Sequence, residues 1–175
     1  GVQQLFRDLG VQQIVSGGQT MNPSTEDILH AAEQVPAMDV YVLPNNKNIV
    51  MAAEQAARLA RTSGVRRIHV VPTTTIPQGI SAMMAYDESA EIKDNVEAMQ
   101  EATSRVQSGS VTFAARDSDY DGHQIKEGEL LALENGKVAF TGTDLGSVTA
   151  KVAKDLMQED SQFITLLYGA DVSEE

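Results

Sequence analysis

Three short polar runs hold the residue types best suited to gripping a ligand: Ser16, Gly17, Gly18, Gln19 and Thr20; Asn45, Asn46, Lys47 and Asn48; and Thr73, Thr74 and Thr75. Their amides, hydroxyls and glycine N–H groups suit an anion or a polar backbone segment, and Lys47 is the one formal charge among them. Hydroxyls without a nearby base are poor nucleophiles, and no His or acid adjoins the threonines, so these read as caps or anion ligands and not as catalysts. The glycine run lacks both the Gly-Lys-Ser/Thr ending of a P-loop and the third glycine of a dinucleotide fingerprint. It is either a tight strand-to-helix turn or a place where backbone N–H groups meet a carboxylate or phosphate oxygen. Asparagine is common at turns and N-caps, which accounts for one or two of Asn45, Asn46 and Asn48 but not readily for all three. A cation at Lys47, in the first turn of a helical pattern, opposes the helix dipole at a cost of about 0.3–1 kcal/mol unless an anion lies beside it.

Other constellations fall away on inspection. Asp117, Asp119, Asp121 and Gly122 copy the first half of an EF-hand loop, but Gly128 stands where the bidentate glutamate belongs and Gln124 where an apolar residue belongs. A solvated acidic loop is the expectation. His30, His69 and His123 fall on a helix, a strand and a loop without helical pairing, so no metal site is expected. The absence of cysteine removes disulfides, thiol nucleophiles and thiolate metal sites. Met83 and Met84, with Met38 and Met51 elsewhere, read as core filler or as adaptable surface for a partner groove.

Each polar run follows a short apolar run and leads into a helical pattern. Val11–Ser16, Val40–Leu43 and Val65–Val71 have the length and composition of buried strands; helices are expected to about Val35, over Asn46–Arg61, and after the threonines. Either Asn22 or Ser24 can cap the first of these, with Pro23 in its opening turn. Strand-helix alternation with short connections implies a βαβ arrangement, and parallel strands of one sheet would open all three loops at the same carboxyl edge, where α/β sheets place their ligand crevice. From Ser89 to Gln107 another helix is expected. The pattern then changes: Val111–Ala115, Leu130–Glu134 and Lys137–Thr141 are strand-like, with Asn135-Gly136 a strong hairpin signal between the last two. Thr143 or Asp144 can cap a helix through Leu156, and Phe163–Tyr168 is expected to return as a strand. The fold class is thus α/β, a parallel-sheet βαβ core in residues 1–88 with an appended antiparallel hairpin in residues 89–175, all in one domain.

With 175 residues, 42% of them hydrophobic, the chain can bury one substantial core. No apolar run approaches a membrane span, so a soluble chain is expected, and the absence of cysteine fits a cytoplasmic home. Thirteen basic residues against 25 acidic ones give a net charge of −12, which repels phosphate backbones and argues against nucleic acid as a partner. The opening at Gly1 and the acidic ending at Glu175 give the expectation of a piece of a longer polypeptide.

Three long strings, SGGQTMNPSTEDI from Ser16, LPNNKNIVMAAEQAA from Leu43 and VPTTTIPQGISAM from Val71, resemble the C-terminal domain of the fatty acid kinase A subunit, of the dihydroxyacetone-kinase-like group. The stretch Asp121–Gly128 and the ending TLLYGAD are similar too, so the resemblance covers essentially the whole chain. It implies a DegV-like fold, related to the fatty-acid-binding partner subunits that present an acyl carboxylate for phosphorylation. It also implies that ATP, Mg and phosphoryl transfer belong to an N-terminal domain, with no catalytic residue and no cofactor in this part. The loops Ser16–Ser24 and Asn45–Asn48 stand where DegV-type proteins hold a lipid carboxylate. Two roles follow: docking a fatty-acid-binding partner subunit, or binding a fatty acid directly. A homodimer is compatible with either.

Overall fold

In the computed structural model of the chain, the structure describes residues 1–17, 22–120, 123–169 and 172. Among these are six helices and three small sheets, a mixed α/β architecture. The chain forms two compact units, Gly1–Val106 and Gln107–Glu175.

The first unit begins with α1 (Val2–Asp8), then α2 (Thr25–Gln34), β1 (Asp39–Val42), α3 (Lys47–Ser63), β2 (Arg67–Val70), α4 (Ile76–Ala85) and α5 (Ile92–Ser104). Helix α2 starts at Ser24, not Asn22: the Ser24 hydroxyl accepts from Asp27 N–H, and the Asp27 carboxylate accepts from Ser24 N–H in return, a capping box that satisfies two orphan donors. Strands β1 and β2 pair in parallel, with Asp39 opposite Arg67 and Tyr41 opposite His69. Because side chains alternate along a strand, Val42, Ile68 and Val70 face a core made with Ile28, Ile49, Ala53 and Ala56 of α2 and α3, while Val40 meets Ala32 and Val35. The other face puts Tyr41 and Leu43 against Val71, Ala82 and Met99, the last two from α4 and α5. Both faces of the parallel pair are therefore covered by helices, as parallel sheets require. The alanines that line the inner side of α3 leave little side chain between helix and sheet.

Two expected strands are not formed. Val11, Ile14 and Val15 are half-buried, yet no strand is present among the described residues from 11 to 17. Apolar composition supplies the propensity for a strand; the ladder needs a neighbour in register, and none of the described strands lies in register with this run.

The second unit holds β3 (Gly109–Phe113), β4 (Ser118–Tyr120), β5 (His123–Ile125), β6 (Leu130–Glu134), β7 (Lys137–Gly142) and α6 (Leu145–Leu156). Strands β3, β6 and β7 form an antiparallel sheet in that order, and β4 and β5 a separate two-stranded antiparallel sheet. Asn135 and Gly136 join β6 to β7 with φ of +48° and +81°, the paired positive angles that a type I′ hairpin needs. Asp144 caps α6 by accepting from Ser147 N–H, and Val148 and Val152 pack on Leu130 and Ala132. Phe163–Tyr168, the second missing strand, is exposed along its length: Phe163 is 89% and Leu166 66% accessible. The nearest backbone hydrogen bonds bracket it, Ser161 N–H to Gln158 and Val172 N–H to Gly169. Here too the pattern is that of a buried strand, and the described residues offer it no pairing partner.

Candidate functional site

The asparagine and threonine runs meet at the carboxyl end of the parallel pair. Thr73 is fully buried, and its hydroxyl accepts from Asn45 N–H at 2.9 Å while donating to Asn45 Oδ1 at 2.8 Å. This pair of hydrogen bonds holds Asn45 at φ +55°, a left-handed conformation that asparagine tolerates better than most residues. Close by, Gly79 of α4 leaves room for the Asn45 amide: a Cβ there would lie 2.1 Å from Asn45 Oδ1. Asn45, Thr73 and Gly79 thus form one junction that locks the starts of α3 and α4 beside each other.

The neighbouring residues are caps. Asn46 is the N-cap of α3, its Oδ1 accepting from Asn48 N–H at 2.9 Å. Thr75 is the N-cap of α4 and accepts from Gln78 N–H, while Gln78 Oε1 accepts from Thr74 N–H at 2.7 Å and from its hydroxyl at 3.0 Å. Lys47 occupies the first position of α3, exposed, in a first turn that contains no acid. Of the glycine run, Ser16 and Gly17 close the stretch from Val11, and Gly18, Gln19 and Thr20 lie outside the described residues. So do Asp121 and Gly122 of the acidic loop, whose Asp117 accepts from Glu127 N–H at 2.7 Å and from Lys126 Nζ at 3.2 Å. Those bonds hold the Asp117 carboxyl below its usual range. Among the described residues no group of three His, Asp or Glu side chains could hold a metal ion.

A second polar cluster does not belong to any of the three runs. Asp39 accepts from Arg67 Nε at 2.8 Å, from Arg67 Nη2 at 2.5 Å and from His69 Nε2 at 2.8 Å. The guanidinium, and then the imidazole, hold its carboxyl well below the usual carboxylate range. The His69 ring lies 5.6 Å from that of Tyr41, which in turn meets Tyr86 edge-on at 5.5 Å. Burial pushes the Tyr41 phenol up. The signal is present in sequence as D-V-Y-V against R-I-H-V; only the parallel register makes the two odd-numbered pairs neighbours. Between α2 and α3 a cavity lined by Leu29, Ala32, Ala60 and Ile68 has about 10 Å³ of water-accessible space, room for one water and far below an acyl chain.

What the two tied loops offer is hydrogen-bonding groups already largely satisfied by one another, an exposed ammonium, and no base, nucleophile or cation-binding set among the described residues. The class is that of a mixed α/β protein. Residues 1–175 match the FakA-like C-terminal family, that of the C-terminal part of the fatty acid kinase A subunit, and the chain belongs to that family. It is 43% identical over 175 residues to an uncharacterized protein of Staphylococcus haemolyticus and 41% identical over 175 residues to Protein YloV of Bacillus subtilis, covering 100% of this chain and 31% of each relative. An uncharacterized protein of Staphylococcus aureus is 40% identical over 174 residues, 99% of this chain and 31% of that protein. The chain thus spans about a third of the length of these relatives. No helix among the described residues is long and apolar enough to cross a membrane.

Proposed function

We propose that this domain is a docking module of a bacterial fatty acid kinase, with a DegV-like fold, that recognises a fatty-acid-binding partner protein and leaves ATP-dependent acyl-phosphate formation to another domain of the longer polypeptide. Family membership supplies the context, and the observation that carries the docking role is the Asn45–Thr73 junction. It presents the starts of α3 and α4 together at one edge of the β1–β2 pair, with Lys47 exposed and unopposed by any acid in its turn. A carboxylate on the partner would relieve the clash between Lys47 and the helix dipole. Direct acyl binding is the competing role.

The test uses the double substitution Asn46→Ala and Lys47→Ala. Affinity for a purified DegV-type protein should fall about tenfold, which corresponds to ~1.4 kcal/mol, while the circular dichroism spectrum is retained. Unchanged affinity removes the loop edge from the interface. Saturable uptake of a labelled fatty acid by delipidated protein would favour the acyl-binding role instead.

A further inference from the structure

The charge on the six helices is uneven in a way the overall composition conceals. Against a net charge of −12, α3 carries three cations, Lys47, Arg58 and Arg61, and a single acid, Glu54. At 100° per residue the buried side of α3 is set by Ile49, Ala53, Ala56 and Ala60, and the opposite side runs through Lys47, Met51, Glu54, Gln55 and Arg58, with Arg61 at its margin; the face thus carries three cations and one acid, all exposed. Met51 is 77% accessible, the most exposed apolar side chain on any of the helices. None of the ion pairs among the described residues involves α3; the Arg58 guanidinium donates to the neutral Gln55 Oε1, at 2.8 and 3.0 Å.

We propose that this outer stripe of α3 is the docking face for a protein partner whose carboxylates surround an apolar side chain that seats on Met51. The inference rests on the docking role above and names the chemistry of the partner's surface and the part of this domain that meets it. A flexible thioether on a helix face of net positive charge, in a chain otherwise strongly acidic, is what a complementary acidic face with a central apolar anchor would select. Charge also decides the class of partner: a chain this acidic repels nucleic acid and anionic lipid as a whole, whereas a protein face can match one helix while its remaining surface avoids the rest. The stripe is continuous with the Lys47 turn, so the loop edge and the helix face form one contact surface.

The full 175-residue chain carrying Met51→Asp and Arg58→Glu, neither of which touches the loop junction, is titrated by calorimetry against a purified DegV-type protein, first in low and then in moderate salt. The expected result is a Kd raised tenfold or more and a weaker dependence on salt than in the unmodified chain, with Arg58→Lys retaining most of the affinity. Arg58→Glu alone serves if the double variant melts early. Binding by the unmodified chain that the substitutions leave unchanged overturns the α3 face and leaves the docking role standing. No binding by the unmodified chain overturns both. Co-sedimentation of the unmodified chain with phosphatidylglycerol vesicles, lost on Arg58→Glu, would assign the stripe to a membrane and overturn the proposal.

Discussion

Gly79 has no space for a methyl group, because the Asn45 amide occupies the position and is itself held by Thr73. Gly79→Ala should therefore cost about 1–3 kcal/mol as an overpacking change, read as a lower urea midpoint, and the loss should shrink when Asn45 is also replaced by glycine. A cost that stays the same in the double variant would mean that the amide and the helix are not in contact. At Asp39 the argument runs through protons. The folded-state carboxyl is held below its ordinary value by Arg67 and then His69, so its contribution is complete above the ordinary carboxylate pKa of about 4 and fades as pH falls through the lower folded value. Replacing Asp39 with asparagine should lower thermal stability by about 1–2 kcal/mol at neutral pH, with the gap to the unmodified protein narrowing in acid. A gap independent of pH would refute the ionic role.

Among the elements, those with a local cause were legible. Ser24 caps α2, Asn46 caps α3, Thr75 caps α4 and Asp144 caps α6, each one of the candidates its segment offered (Asn22 or Ser24, the three asparagines, the three threonines, Thr143 or Asp144), from side chains whose preference for such positions is intrinsic. The β6–β7 hairpin was legible for the same reason, since Asn135-Gly136 carries its own turn geometry. Gly136→Ala, at φ +81°, should destabilise the β3–β6–β7 sheet by about 1 kcal/mol, and hydrogen exchange should quicken at β6 and β7 amides without change in α3. Uniform quickening across both units would contradict the local origin. What needed a distant partner was not legible. Val11–Ser16 and Phe163–Tyr168 have strand composition, but a strand exists only through its neighbour, and the sequence of the run does not contain the neighbour.

For the molecule as a whole, the candidate site divides along the same line. The asparagine and threonine runs were recognisable as polar loops after apolar runs; their direct bond through Asn45 and Thr73, and the glycine that permits it, depended on residues 28 and 34 positions apart coming together. The Asp39 cluster likewise waited on the register of β1 against β2. Charge was legible only as a sum: −12 argued against nucleic acid as a partner, and the net positive outer side of α3 emerged once its buried side was known.

The exposed run Phe163–Tyr168 has a consequence for how this chain must be handled. Six residues of high β-propensity, without charge, proline or glycine, with every N–H and C=O between Phe163 and Tyr168 unclaimed among the described residues, are the makings of a steric zipper. In the sequence Glu159 and Asp160 stand just before it, and Asp171, Glu174 and Glu175 after it, where gatekeeper charges are commonly placed. Such a run is open to strand addition from a second copy, so concentrated solutions of the chain should gain thioflavin fluorescence on standing, and Leu166→Lys should suppress the gain.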